Sequence, residues 1–221
     1  MTKFFGSLAI VLLLVGCGGG GSEIATSPDL VFDLTKVLSI EPGDTISFSL
    51  TGSDSAGGKF TGSIQSVNRP KIIIDGQLVT QRDTLLSLTN TVTGAFVTVV
   101  GTSFVNENRE VVETIDSDGV TWTPTTVVPL PVSAQVGSFG LTPTFTSVTG
   151  ESLSGSWRFD PATATTGKLV FSSTTKDISG NTLYTEDDTY TITADGTPQS
   201  FSARVFYPDM GVTVSLSGPA Q

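Results

Sequence analysis

The chain of 221 residues carries 11 basic and 21 acidic side chains, no histidine and one cysteine, for a formal net charge of -10. The lack of histidine excludes Ser-His-Asp and Cys-His catalytic sites and histidine-ligated zinc or haem. One cysteine excludes an intrachain disulfide. The acidic balance argues against a nucleic-acid partner, because phosphate binding requires a basic surface.

The first 16 residues have the organisation of a secretory signal. Lys3 precedes an apolar run over residues 4–16 that is interrupted only by Ser7. The run is too short to span a bilayer core, which needs about 20 residues, but it suits the apolar core of a signal peptide. We therefore predict a signal peptide over residues 1–16.

The apolar run ends in Leu14-Val15-Gly16-Cys17, which resembles the lipobox of bacterial lipoproteins. The resemblance implies cleavage before Cys17, a diacylglyceryl group on its sulfur, and a fatty acyl chain such as palmitate on the freed amine. Two or more chains give stable anchoring, at about 0.8 kcal/mol per buried methylene. Gly18 stands where an Asp would resemble an inner-membrane retention signal, so the resemblance favours the outer membrane.

The expected organisation is therefore a lipidated tether over residues 17–27, rich in glycine and flexible, followed by a β-rich domain over residues 28–221. The membrane is the expected partner, through the lipid on Cys17, with the domain in the periplasm or at the cell surface. The alternative is that Cys17 is an ordinary thiol at the end of a secretory signal. The domain resembles Ser/Thr-rich proteobacterial lipoproteins, and this resemblance does not imply any particular activity.

The start of the domain predicts a short amphipathic helix over residues 28–38. Ser27 suits the N-cap, and Pro28 suits the first helical position. Leu30, Leu34 and later apolar residues recur at the spacing of one helical face. The alternative is a strand, because Leu30, Phe32 and Leu34 also alternate.

The rest of the chain predicts an all-β fold. Serine and threonine number about 60, roughly a quarter of the chain, and threonine, valine and isoleucine suit a pleated, half-buried surface. Apolar residues alternate with Ser or Thr in many segments, as in a strand with one dry face, and Asp75-Gly76 indicates a hairpin turn. The predicted strands cover residues 46–50, 60–67, 71–74, 77–81, 84–91, 95–105, 109–115, 120–122, 141–148, 154–159, 168–175, 182–193, 201–207 and 211–216.

A stretch with three prolines, residues 124–131, cannot form a central strand. It divides the domain into halves at 40–123 and 132–221 that share weakly similar Thr-Gly and Asp-Gly patterns. The similarity indicates either an old duplication or the monotony of Thr/Gly-rich hairpins. We expect an antiparallel meander that forms a sandwich or a closed barrel. A membrane-spanning barrel is disfavoured, because the alternating polar residues are mostly Ser and Thr and only three tyrosines are present to form aromatic girdles.

Two acidic segments are candidates for chemistry. In Glu186-Asp187-Asp188, the first and third side chains would share one strand face, and a pair of carboxylates suffices for glycoside hydrolysis. A solvated polar face or a strand end is the favoured interpretation. The segment 116–119 begins like a calcium loop, but no Glu closes the twelve-residue pattern, so an ordinary turn is favoured.

Exposed aromatic rings are candidates for sugar binding. Trp122 is the most plausible exposed ring because it adjoins the proline stretch, although a core position is favoured for each Trp and Tyr. The low-ranked candidates for ligand binding are therefore Trp122, Glu186 and Asp188. No catalytic residue, metal site or cofactor is predicted.

These features favour a non-enzymatic, lipid-anchored envelope protein of structural or adhesive type, whose surface would bind an envelope protein or a glycan. The first alternative is a carbohydrate-binding module or a carboxylate-based glycan hydrolase. The second alternative is a periplasmic assembly factor with an exposed strand edge that receives a partner.

Overall fold

The computed structural model describes residues 30–221, so the predicted signal peptide, Cys17 and the tether lie outside the described residues. The described part contains fifteen strands. They are β1 (Val31–Asp33), β2 (Thr45–Asp54), β3 (Lys59–Ile74), β4 (Gln77–Asn90), β5 (Phe96–Asn106), β6 (Val111–Ile115), β7 (Thr121–Pro124), β8 (Ser133–Gln135), β9 (Phe139–Leu141), β10 (Phe145–Ser147), β11 (Ser152–Pro161), β12 (Thr166–Lys176), β13 (Thr182–Thr193), β14 (Pro198–Tyr207) and β15 (Val212–Pro219).

Twelve of these strands form a closed antiparallel barrel. The order is β2 to β7 and then β10 to β15, each paired with its neighbour, and β15 pairs with β2 to close the sheet. β9 pairs with β11 on the same side as β10. The all-β prediction is confirmed, and the architecture is the closed barrel rather than the sandwich. Closure leaves no free edge along most of the sheet for an added strand.

The barrel interior is a packed core. Along β2, Phe48 and Leu50 point inward and are buried, whereas Ser49 and Thr51 point outward. The same alternation runs through β12, where Leu169 and its inward neighbours are buried. An aqueous channel would need a polar lining. The interior is mainly apolar with a minority of buried polar groups, so the barrel is filled, and its outer wall is rich in Ser and Thr.

One end of the barrel is closed by the first described segment, residues 30–41. Strand β1 of this segment pairs with β8 as a separate two-stranded sheet. Phe32 is fully buried, and its ring centroid lies 4.7 Å from that of Phe159. The Asp33 amide donates to the carbonyl of Ala194, between β13 and β14, at 2.9 Å. We call residues 30–41 the plug, this end the plugged end, and the opposite end the far end.

Side chains of the barrel hold the plug through its backbone. Each donates to a backbone carbonyl in the part of the plug that follows β1. That part is neither helix nor strand, so these carbonyls would otherwise lack hydrogen-bond partners. The donors and acceptors are Arg109 Nη2 to Leu38 O (2.7 Å), Arg82 Nη2 and Asn68 Nδ2 to Ser39 O, Thr80 Oγ1 to Ile40 O (2.7 Å) and Asn68 Nδ2 to Glu41 O (3.1 Å). The plug is therefore an integral part of the barrel.

The helix predicted for residues 28–38 is not formed over the described residues 30–38. The chain forms β1 and then a turn, in which the Leu38 amide donates to Leu34 O at 2.9 Å. Pairing with β8 and burial of Phe32 outweigh the helical periodicity, and the alternative strand interpretation is the one observed here. Within residues 30–221, no helix is long and apolar enough to cross a bilayer.

Most of the predicted strands are found, with two mergers and one exception. The predicted strand 141–148 is not continuous, because β9 ends at Leu141 and β10 covers only Phe145–Ser147. The segments 60–67 and 71–74 belong to one strand, β3, because Pro70 lies at an irregularity in the register between Asn68 and Lys71. The segments 77–81 and 84–91 likewise form β4. The turn at Asp75-Gly76 is confirmed, with φ angles of 48° and 78°.

The proline stretch does not form a regular strand, as expected, although β7 extends to Pro124 and one isolated bridge joins Pro129 to Glu110. Each predicted half contributes six strands to the barrel, so neither is a separate sheet. An origin by duplication stays a prediction.

Candidate functional site

The acidic pair of β13 lies inside the barrel. Glu186 and Asp188 share one strand face, as the alternation predicts, and both are buried. The expectation of a solvated face is therefore wrong for these two residues. Asp187, between them, points outward and is partly exposed.

Mostly apolar neighbours surround the pair. Asp188 lies opposite Phe171 of β12 and Ala203 of β14. Glu186 lies opposite Ser173 and Val205 on the same two strands. The two carboxyls thus lie in the core that fills the barrel.

Aromatic clusters lie on either side of the pair along β13. Towards the plugged end, the ring of Tyr190 packs against Phe201, with centroids 5.1 Å apart, and against Phe48, at 5.9 Å. Towards the far end, Tyr184 packs against Tyr207, with centroids 5.9 Å apart. Burial raises the pKa of all three tyrosines above the ordinary value, so their phenols are neutral.

The same burial acts on the carboxyls. Burial raises the pKa of Glu186 well above its usual range, and the negative charges of Asp188 and Asp187 add to the effect. Burial and the charge of Asp187 do the same for the pKa of Asp188. Both groups therefore favour the protonated form, since a charge in this core has little to solvate it.

Asp188 is also short of hydrogen bonds. Within the described residues its Oδ1 atom is buried without a partner. An unsatisfied buried polar atom costs about 1–3 kcal/mol. No substrate reaches the pair in this structure because both side chains are enclosed, so the pair affects stability and offers no surface for glycan hydrolysis.

Trp122 occupies a position near the far end. It is buried, and its indole Nε1 donates to Asp116 Oδ2 at 3.0 Å. It lines a cavity of about 180 Å³ together with Asp118, Glu151 and Tyr184. Its ring is therefore not the exposed platform considered from the sequence, and the acidic pair of β13 does not line this cavity.

The segment 116–119 is a turn, as predicted. The Gly119 amide donates to Asp116 O at 3.0 Å, and the amides of Asp118 and Val120 donate to Asp116 Oδ1, each at 2.9 Å. The Asp116 carboxylate thus stabilises the turn and binds Trp122. In the described part of the chain, no group of three His, Cys, Asp or Glu is arranged to hold a metal ion.

A second cavity at the far end is larger and more apolar. It measures about 440 Å³ and lies between the hairpin turns that follow β2 and β4. Phe60, Leu88 and Val97 form its floor. The far end therefore presents two concave surfaces.

The outer wall near β9 carries an exposed apolar patch that is not among the predicted site residues. Phe139 is 82% exposed, the highest value among the large apolar side chains of residues 30–221. Leu141 lies beside it on the same face, while Gly140 lies against the indole of Trp157. The predicted candidates for exposed rings are Trp and Tyr residues, and Phe139 is not one of them. Phe139 and Leu141 on either side of Gly140 are the signal that could have found this patch.

No protein-family model and no curated protein matches the chain. Among solved structures, it is similar to a porin-like protein from Bacteroides uniformis at 12% sequence identity and a TM-score of 0.30. The similarity covers 80% of this chain and 96% of that one.

Proposed function

We propose that the protein is a lipid-anchored, non-catalytic protein of the bacterial outer membrane, whose barrel acts as a structural or binding body. The observation that carries the proposal is the sequence Leu14-Val15-Gly16-Cys17, which resembles a lipobox, and the position of the first described residue indicates which end of the barrel such an anchor would hold. Leu30 lies at the plugged end, directly before β1. A lipid on Cys17 would therefore hold the plugged end next to the bilayer.

This arrangement would fix the orientation of the barrel relative to the membrane. The far end, with its two cavities, would point away from the membrane. Between Cys17 and Leu30 the chain can reach at most roughly 45 Å when fully extended. A partner on the membrane side would meet the plug, whereas a partner on the other side would meet the cavities of the far end.

The filled barrel supports a binding role over transport. Its interior is packed and mainly apolar, and its plug is held by hydrogen bonds from the wall, so the wall and the far end are the surfaces available to a partner. The closed sheet disfavours the alternative of an assembly factor that accepts a strand at its edge.

Replacing Cys17 with serine tests the anchor. We expect C17S to move from the membrane fraction to the soluble fraction, because the chain loses its acyl chains. Phase separation in a detergent that clouds on warming measures this directly. The native protein should enter the detergent phase, and C17S should stay in the aqueous phase.

Gly18→Asp is the matched variant, since it keeps the lipidated cysteine. By the resemblance to lipoproteins, we expect G18D to remain in the detergent phase but to shift from the outer to the inner membrane on a density gradient. If C17S fractionates with the membrane as the native protein does, the lipid anchor is disproved.

A further inference from the structure

A groove of about 670 Å³ crosses the outer wall of the barrel over β11, β12 and β13. This volume is typical of small-ligand sites. Nine of its thirteen lining residues are Ser or Thr. Six outward side chains form two rows across the three strands, namely Ser154, Thr174 and Thr185 in one row and Ser156, Ser172 and Asp187 in the next.

The hydroxyls of this floor are available to a ligand. In the described structure, no hydrogen bond joins the side chains of Ser154, Ser156, Ser172, Thr174 or Thr185 to another residue. Because paired strands lie about 4.8 Å apart, the groups repeat along each row at about the length of one sugar ring.

Thr142 adds a buried group to one side of the groove. Its side chain is 95% buried, and its Oγ1 atom has no hydrogen-bond partner in the described structure. Such an atom carries an energetic cost until a ligand or a water satisfies it.

An apolar shelf lies beside the hydroxyl rows. Leu141, which lines the groove, is opposite Ser156 in the sheet, and the exposed ring of Phe139 is opposite Arg158. A sugar ring has polar edges and an apolar face of C–H groups. The shelf offers an aromatic surface for that face, and the rows offer partners for the edges.

The charge of the groove is low. Asp187 Oδ2 lies 3.9 Å from Arg204 Nη1, so the acidic group has a cation nearby. A nucleic acid would need several unpaired cations, and an acyl chain would leave the floor hydroxyls unsatisfied. An added peptide strand needs a free sheet edge, whereas this floor is the face of three paired strands.

We infer that this groove binds a linear, neutral glycan chain of hexose or N-acetylhexosamine units. Phe139 and Leu141 would contact the sugar faces, and the floor hydroxyls would bind the sugar hydroxyls. The inference rests on the proposed binding role and names its ligand class. It does not depend on the lipid on Cys17.

The test uses the full mature chain with C17S, so that lipidation does not affect it. Titration calorimetry with cellohexaose and with chitohexaose should give saturable binding of at least one of them. We expect F139A to weaken binding about tenfold, and S172A about threefold, the latter corresponding to the loss of one hydrogen bond.

Phe96→Ala and Thr98→Val are the matched controls, because both residues are exposed on β5, away from the groove. Both should bind like the parent, and circular dichroism confirms that each variant is folded. The inference is overturned if neither oligosaccharide binds at millimolar concentration, or if F139A and S172A bind as tightly as the controls. If C17S fractionated with the membrane, the proposed anchor would fail while the calorimetric result stayed the same, so the two failures are distinguishable.

Discussion

Phe32→Ala should lower the free energy of unfolding by about 4 kcal/mol, the range found for removing a buried phenylalanine ring. The ring is fully buried and packs against Phe159 at the plugged end, with centroids 4.7 Å apart. The surrounding wall is a closed sheet that cannot collapse far into the space left behind. Chemical denaturation measures the effect directly.

Val31→Ala is the control for this variant. Val31 precedes Phe32 in β1, but its side chain points outward and is 52% exposed. A change of less than about 0.5 kcal/mol is expected at such a position. If F32A lowered the free energy of unfolding as little as V31A does, the plug would not contribute to the core.

Hydrogen exchange distinguishes release of the plug from unfolding of the whole barrel. The amides of Asp33 and Leu34 donate to Ala194 O and Val132 O, each at 2.9 Å. In F32A these amides should exchange faster than those of the central barrel strands, because local opening needs less free energy than global unfolding. Uniform acceleration across all strands would contradict a separately opening plug.

Asp188→Asn should raise the free energy of unfolding at pH 8 by on the order of 1–3 kcal/mol, because a carboxyl that is neutral in the fold and ionised in the unfolded chain costs about 1.4 kcal/mol for each pKa unit between the two states. Burial and the charge of Asp187 raise the pKa of Asp188 in the folded chain. In the unfolded chain the carboxyl ionises with its ordinary pKa of about 4. Asparagine keeps the shape and cannot ionise.

The sign of the pH dependence follows from this difference. Below about pH 4 the carboxyl is protonated in both states, so folding carries no ionisation penalty. As the pH rises above 4, the unfolded chain releases the proton more readily, and the folded state loses stability until its own raised pKa is passed. The gain from D188N should therefore be small at pH 4 and should grow towards pH 8.

Asp187→Asn is the control for the charge itself. It removes one acidic group from the same strand, but Asp187 points outward and lies near Arg204. We expect a smaller gain than in D188N, arising only from the lost repulsion between Asp187 and the buried pair. If D188N were destabilising at pH 8, Asp188 would have to be ionised and bound to a cation in the folded protein.

The strand pattern and the fold class could be predicted from the sequence because alternation is a local property. The β-hairpin at Asp75-Gly76 and the outward Ser and Thr of β2 follow from neighbouring residues alone. Closure into a barrel could be predicted only as one of two options. It depends on the pairing of β15 with β2, which are far apart in the sequence.

The two wrong predictions have different origins. The first described segment has helical periodicity, but β8, about a hundred residues later, pairs with it and fixes it as a strand. The burial of Glu186 and Asp188 could have been predicted from parity. Both are an even number of residues from Ile192, which is in the core, but the acidic composition of the segment outweighed this signal.

The outer groove could not be found from the sequence. Its rows combine residues of three strands, and their alignment depends on the register of β11, β12 and β13. Sequence alternation places Ser156 and Ser172 on the outer wall, but it does not show that they lie side by side or that Phe139 lies near them.

The anchor is tested most directly by mass spectrometry of the N-terminal peptide of the protein isolated from membranes. We expect the mature chain to begin at Cys17, with the mass of a diacylglyceryl group and one amide-linked acyl chain added to that residue. A mature chain that begins elsewhere, or a Cys17 found as a free thiol, would contradict a lipid-anchored barrel.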